Sequence, residues 1–193
     1  FKYYNDYDQE GTAITSIEDG SIIALSGGRK YGARGLNRAT DINRQPGSTA
    51  KPLFDYAPYM EYLNGSPGDY FFDEPYAYST GQSINDADRK YQGMITLRKG
   101  LIGSRNVTAL QAFQKVAAKD QSLIENFVHS VGINYGSALY ESASIGGFNG
   151  TNPLEMSAAY AVFGRGGYYI KPYSFTKVIF EDGTTYELSL IHI

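Results

Sequence analysis

The sequence predicts an α+β fold, with antiparallel strands from both chain ends and a helical section between them. Two observations near the termini and one in the middle carry this reading. β-Branched, partly alternating runs at 12–18 and 21–25 flank Asp19-Gly20, and a second pair at 174–180 and 184–187 flanks Asp182-Gly183. An Asp-Gly pair between two such runs supplies the positive φ that a tight hairpin needs. Between the hairpins, apolar residues recur at helical spacing, and strands followed by helices followed by strands suit helices packed on an antiparallel sheet. No internal repeat and no linker interrupts the chain, so one domain is expected.

Element by element, residues 48–63 carry Leu53, Phe54, Ala57, Met60 and Leu63 on one helical face. Pro52 falls early in that helix, where its missing N–H does little harm, whereas Pro58 lies inside and should kink it. Residues 65–88, rich in Gly, Pro, Ser, Asp and Asn, read as a loop. Residues 95–102 read as a short helix. Two more follow at 107–118 and 121–131, the second closed by Gly132, and a last one at 153–163 ends in Gly164, Gly166 and Gly167.

The 193 residues are 42% hydrophobic and 19% charged, a globular composition rather than a disordered one. A net charge of −3 without a basic run argues against nucleic acid as a partner. Cysteine is absent, which removes disulfides, thiolate metal sites and a cysteine nucleophile. No apolar stretch approaches the roughly 20 residues that span a bilayer. The 18 tyrosines fit half-buried packing, and equally a surface that stacks on sugars or proteins.

Several chemistries lack their residues. The two histidines, His129 and His192, form no His-Glu-x-x-His pattern, no Gly-x-Ser-x-Gly elbow is present, and the Gly-rich stretches match no nucleotide fingerprint. The carboxylates show no recognisable pairing and read as solvated side chains. Serine chemistry with a lysine base remains. Ser48-Thr49-Ala50-Lys51 is an S-x-x-K tetrad and Ser104-Arg105-Asn106 an S-x-N triplet, while Ser174–Lys177 and Ser83-Ile84-Asn85 repeat the same short patterns.

Context separates the copies. A lysine reaches a serine three residues earlier only on one helical face, and the Ser48 copy opens a helix after Pro46-Gly47. In the strand around Ser174 the two side chains fall on opposite faces. A helix start also suits a serine that must support an oxyanion, and burial beside Leu53 and Phe54 favours a neutral Lys51. A helix N-cap serine with a solvated lysine one turn on accounts for the same residues.

A longer set of segments adds to these motifs. Residues 47–52, Asp55-Tyr56-Ala57-Pro58, Asp73-Glu74-Pro75-Tyr76, residues 95–107 (ITLRKGLIGSRNV), residues 158–168, Lys171-Pro172 and Lys177-Val178 ahead of Asp182-Gly183 resemble, in order, the transpeptidase domain of class A penicillin-binding proteins. The resemblance covers about residues 11–187. It implies an α+β fold with a penicillin-binding-protein/β-lactamase-like helical subdomain. It also implies that Ser48 attacks the penultimate D-alanine carbonyl of a stem peptide, that Lys51 accepts its proton, that Ser104 relays a proton to the leaving group, and that Asn106 holds Lys51 and a substrate amide.

The same resemblance implies peptidoglycan stem peptides and β-lactams as partners, no cofactor and no metal. It also implies a site on the extracytoplasmic face of the membrane, with an anchor and a glycosyltransferase domain upstream. Arg105 stands where β-lactamases carry aspartate, and no Lys-Thr-Gly or Lys-Ser-Gly follows. Residues 1–187 are therefore expected to be a partial transpeptidase domain, aggregation-prone and slow to acylate, with 188–193 as a tail outside the family. A same-fold hydrolase or β-lactam sensor, or a Tyr-rich wall-binding module without catalysis, are the alternatives.

Overall fold

A computed structural model describes residues 7–29, 35–136 and 138–187. In chain order the elements are β1 (Thr12–Thr15), β2 (Ile22–Ser26), a 3₁₀ turn (Gly47–Ala50), a π turn (Pro52–Tyr56), α1 (Ala57–Leu63), β3 (Tyr70–Asp73), β4 (Tyr76–Ala77), β5 (Ser83–Ile84), β6 (Gly93–Thr96), α2 (Leu97–Ile102), α3 (Asn106–Ser130), a second 3₁₀ turn (Glu141–Ile145), α4 (Pro153–Gly164), β7 (Lys177–Ile179) and β8 (Thr185–Glu187). The fold class is mixed α and β with small antiparallel sheets, as the sequence predicts. Among the described residues the strands pair as four separate ladders, β1–β2, β3–β6, β4–β5 and β7–β8. Among the described residues, segments from the two chain ends meet at an isolated parallel bridge outside the named strands, Ser21 with Tyr173. The predicted tail, 188–193, lies outside the described residues.

The chain forms two compact units. The first comprises residues 1–43, 131–133 and 151–193 and holds both terminal hairpins. Its first hairpin is longer than a two-residue turn. Gly20 alone takes a positive φ (80°), while the Asp19 carboxylate accepts hydrogen bonds from the Ser21 N–H (3.0 Å) and hydroxyl (2.8 Å). The side chain thus caps the turn that the backbone alone would have closed. Helix α4 starts with Asn152 accepting from the Glu155 N–H and Pro153 at the first position, and Thr15 Oγ1 meets Ser157 Oγ at 2.9 Å. The second hairpin closes with Gly183 at φ 82° and Phe180 N–H bonded to the Thr184 carbonyl.

The second unit, residues 44–130 and 134–150, is built around α3. The predicted pair of helices is one run broken at Asp120 (φ −172°, ψ 117°), whose carboxylate caps the Ser122 N–H and restarts the helix. Val107, Leu110, Phe113 and Val116 of α3 are fully buried. Tyr56, Phe71, Leu97, Ala109 and Ala112 form one apolar cluster, and Ile84, Val107 and Leu110 another.

Three predicted elements are corrected. The 65–88 loop contains β3, β4 and β5, because the aromatic run Tyr70-Phe71-Phe72 alternates exposed and buried positions despite its polar surroundings. The helix expected at 95–102 begins at Leu97. Ile95 completes β6, and the Thr96 hydroxyl caps the Lys99 N–H. The helix expected from 48 is a 3₁₀ turn, a π turn and then α1. Proline at 58 would crowd the carbonyl of residue 54 in an α-turn; the wider π turn, with the Ala57 N–H on the Pro52 carbonyl, gives that ring room.

The register of β3 sets a contrast between neighbours. Phe71 is 2% exposed and Phe72 55%. Phe71→Ala is expected to cost about 3–5 kcal/mol and Phe72→Ala under about 1 kcal/mol. Denaturant unfolding of the two variants reads this directly, and equal losses would mean the strand is turned over.

Candidate active site

Lys51 is fully buried at the junction of the first 3₁₀ turn and the π turn. Its backbone N–H bonds the Ser48 carbonyl, and a 3₁₀ turn has three residues per turn, so positions 48 and 51 stack on one face. Ser48 itself is exposed. From 53 residues along the chain, the Ser104 carbonyl accepts from Lys51 Nζ at 2.6 Å; the Ser104 hydroxyl lies at 3.1 Å and Asn106 Oδ1 at 2.7 Å. The structure therefore brings Lys51, Ser104 and Asn106 into direct contact and puts Ser48 one turn away. Residues of the two repeated short motifs are elsewhere or serve differently: Lys177 pairs with Glu187 on the surface, and Asn85 offers only its carbonyl to Asn106 Nδ2 (2.8 Å).

Local folding explains these positions. Ser104 adopts a left-handed conformation (φ 49°), with its N–H on the Leu101 carbonyl and the Arg105 N–H on the Gly100 carbonyl. That sharp reversal ends α2 and lets α3 start at Asn106. The Asp86 carboxylate accepts from the N–H groups of Asn106 and Val107, capping α3 from a distant loop. The bond from Asn106 Nδ2 to Asn85 leaves its amide oxygen to face Lys51.

Burial brings the Lys51 amine down to about 8; Asp55 and Asp86 act to raise it and Arg105 to lower it further. A neutral amine has two hydrogens and one lone pair. The Ser104 carbonyl and Asn106 Oδ1 can accept both hydrogens, which frees the lone pair for a hydroxyl proton.

The reading of the carboxylates as solvated does not hold for three of them. Asp55, Asp73 and Asp86 are buried. Asp55 sits on the π turn, and burial pushes its carboxyl well above the usual range against the pull of Lys51. Asp73 and Asp86 are clamped around Arg105. Sequence spacing could not find them, because strand pairing and not helical periodicity assembles the set. A groove of about 940 Å³ lined by Tyr76, Tyr91, Gln114 and Glu141 adjoins Asn85, but its polar walls bond one another, as in Tyr76 to Gln114 (2.7 Å) and Gln114 to Glu141 (2.9 Å).

Residues 11–190 match the family model described as the penicillin binding protein transpeptidase domain. The chain belongs to the penicillin-binding protein transpeptidase family. It is 39% identical over 185 residues to penicillin-binding protein 1A/1B of Bacillus subtilis, covering 94% of this chain and 20% of that protein. It is 37% identical over 198 residues to penicillin-binding protein 1A of Streptococcus pneumoniae, covering 97% and 27%. Among solved structures, penicillin-binding protein 1A from Haemophilus influenzae superposes with a TM-score of 0.77 at 28% identity, over 94% of this chain and 27% of that one. The chain thus spans about a fifth to a quarter of the length of these relatives.

Gly146 supports the turn that carries Ser48. It is left-handed (φ 86°), and a methyl group there would lie 2.4–2.6 Å from the oxygen, nitrogen and Cα of Gly47. Gly81 is equally left-handed (φ 85°) with open space around it. Gly146→Ala is expected to cost about 1–3 kcal/mol more than Gly81→Ala in denaturant unfolding, because only the first drives a methyl group into backbone. Equal stabilities in the two variants would remove Gly146 from the support of the turn.

Proposed function

We propose that the second unit carries the acyl-transfer site of a serine-type peptidoglycan DD-transpeptidase. The observation that supports this most is the buried Lys51 amine bonded to both Ser104 and Asn106. In this reading Ser48 Oγ attacks the penultimate D-alanine carbonyl while its proton moves to the Lys51 lone pair. The tetrahedral intermediate then expels D-alanine, whose amine takes a proton that Ser104 Oγ relays from Lys51. An amine from a neighbouring stem peptide attacks the acyl-serine in the reverse sense, giving its proton back along the same path. The product is an amide cross-link, and Ser48 and Lys51 return to their starting protonation. A β-lactam acylates Ser48 without releasing a separate leaving group.

The reading extends to a bifunctional, membrane-anchored synthase acting outside the cytoplasmic membrane, with a glycosyltransferase domain in the same protein. Similarity to 1A-type penicillin-binding proteins supports it. Residues 1–187 are read as part of the transpeptidase domain, on the strength of the family match over 11–190.

Fluorescent penicillin tests the chemistry in the full gene product. Ser48→Ala should take no covalent label, and Lys51→Ala should lower the acylation rate by about a hundredfold or more, within the usual worth of a positioned base. Labelling of Ser48→Ala at the wild-type rate excludes Ser48, and a module that only binds cell wall takes no label in any form. The lowered Lys51 value also sets a pH profile. Below about 8 the ammonium predominates and cannot accept the serine proton, so the acylation rate should climb about tenfold per pH unit and level off above about 8. A rate that stays flat from pH 6 to 9 contradicts a neutral-lysine base.

A further inference from the structure

Arg105, the central residue of the triplet between Ser104 and Asn106, is 4% exposed. Its guanidinium is clamped on every side. Nε donates to Asp73 Oδ2 (2.9 Å), Nη1 to Asp88 Oδ1 (2.9 Å) and Nη2 to the Lys90 carbonyl, with Asp86 Oδ2 at 3.0 Å from Nη2. Asp73 closes β3 and also accepts from the Gln92 N–H (3.0 Å), while Asp86 caps the first residues of α3. One side chain therefore joins the end of β3, the loop between β5 and β6, and the reversal between α2 and α3.

We propose that Arg105, clamped by Asp73 and Asp86, is the positioning residue that holds Ser104 and Asn106 at the distances Lys51 requires. The proposal rests on reading Ser48, Lys51, Ser104 and Asn106 as the acylation site. Ser104 and Asn106 flank Arg105 in the chain, so a fixed guanidinium fixes both. The left-handed turn at Ser104 is costly for a residue with a side chain, and it persists where surrounding bonds over-determine it.

The acid pair completes the clamp. Asp73 Oδ1 and Asp86 Oδ2 are buried oxygens that accept no hydrogen bond among the described residues, Asp86 Oδ2 meeting Arg105 only as an ion pair, and the two carboxyls interact with each other. Burial, and then Asp73, push the Asp86 carboxyl above its ordinary value. A proton on Asp86 Oδ2 provides a donor to Asp73 Oδ1 and satisfies both oxygens at once. Within the buried pair Arg105 then faces one negative charge, while Asp88 on its Nη1 is half-exposed to solvent. Lysine keeps the charge but lacks the fork, so it cannot reach three elements together.

The test uses the full gene product, with fluorescent penicillin read as both acylation rate and the fraction of protein that labels. Arg105→Lys should lower the rate at least about tenfold in the fraction that still labels. Asp73→Asn presents an amide oxygen to Arg105 and Gln92 and an N–H₂ to Asp86, replacing the shared proton; it should stay within about threefold of wild type, whereas Asp73→Ala loses about as much as Arg105→Lys. A merely structural role would shrink the labelled fraction and leave its rate intact, and that result overturns the proposal. So does an Asp73→Asn variant as slow as Asp73→Ala. Should Arg105→Lys not fold, Asp73→Asn decides alone, since a tenfold loss there is incompatible with the clamp. Ser48→Ala run in parallel separates the two readings: if it still labels, the acylation site is misassigned, and if it does not while Arg105→Lys acylates at full rate, only the clamp is wrong.

Discussion

Everything at the candidate site depends on keeping one amine out of water. Lys51 is fully buried, yet all three of its hydrogen-bond partners come from the Ser104–Asn106 segment. Burying an ammonium is expensive unless its hydrogens are taken up, and a neutral amine is the cheaper occupant as long as its two hydrogens find acceptors. The Ser104 carbonyl and the Asn106 amide oxygen supply those acceptors, so the segment that pairs with Lys51 can also hold the neutral form that burial favours. That explains the effort spent on Ser104 and Asn106: a left-handed residue, a helix cap from Asp86, and a buried guanidinium between them.

Much of this was legible in the sequence because it depends on periods. The face shared by positions 48 and 51, the helical pair around Asp120 and the terminal hairpins follow from spacing and turn residues alone. The β3–β6 and β4–β5 ladders were missed because their strands are short and lie in polar, Gly- and Pro-containing sequence. Tyr70-Phe71-Phe72 was the one available signal, and its alternation is plain only once Phe71 is seen facing Tyr59 at 5.4 Å between ring centres. The buried carboxylates were missed for the same reason. Asp73 and Asp86 become neighbours of Arg105 only when β3 and the loop after β5 are brought against the start of α3, and no one-dimensional pattern encodes that.

The departure from an ideal helix at 47–63 is also physical rather than incidental. A 3₁₀ turn stacks residues three apart, which suits Ser48 and Lys51, but it cannot run on for long. The π turn that follows widens the helix, accommodates Pro58 and hands the chain to α1, while Phe54 stacks on Phe148 with ring centres 4.9 Å apart. Gly146, packed against Gly47, holds the start of the same turn from the other side. The nucleophile candidate is thus set by backbone contacts at one end and by aromatic packing at the other.

Asp55 fits this account as a residue that withholds charge. It is fully buried one π turn past Lys51, and neither carboxyl oxygen has a hydrogen-bond partner among the described residues. An ionised carboxylate in that position would be costly in itself, and it would stabilise the Lys51 ammonium, raising the pH at which the amine becomes a base. Burial instead drives Asp55 toward its neutral form, well above the ordinary carboxyl range. For Lys51 the loss of water outweighs the upward pull of Asp55 and Asp86, and its value falls to about 8. The same loss of water acts on both groups in opposite directions, raising the acid and lowering the base. In the proposed reaction this lowered amine, one turn from Ser48, is the group that takes the serine proton.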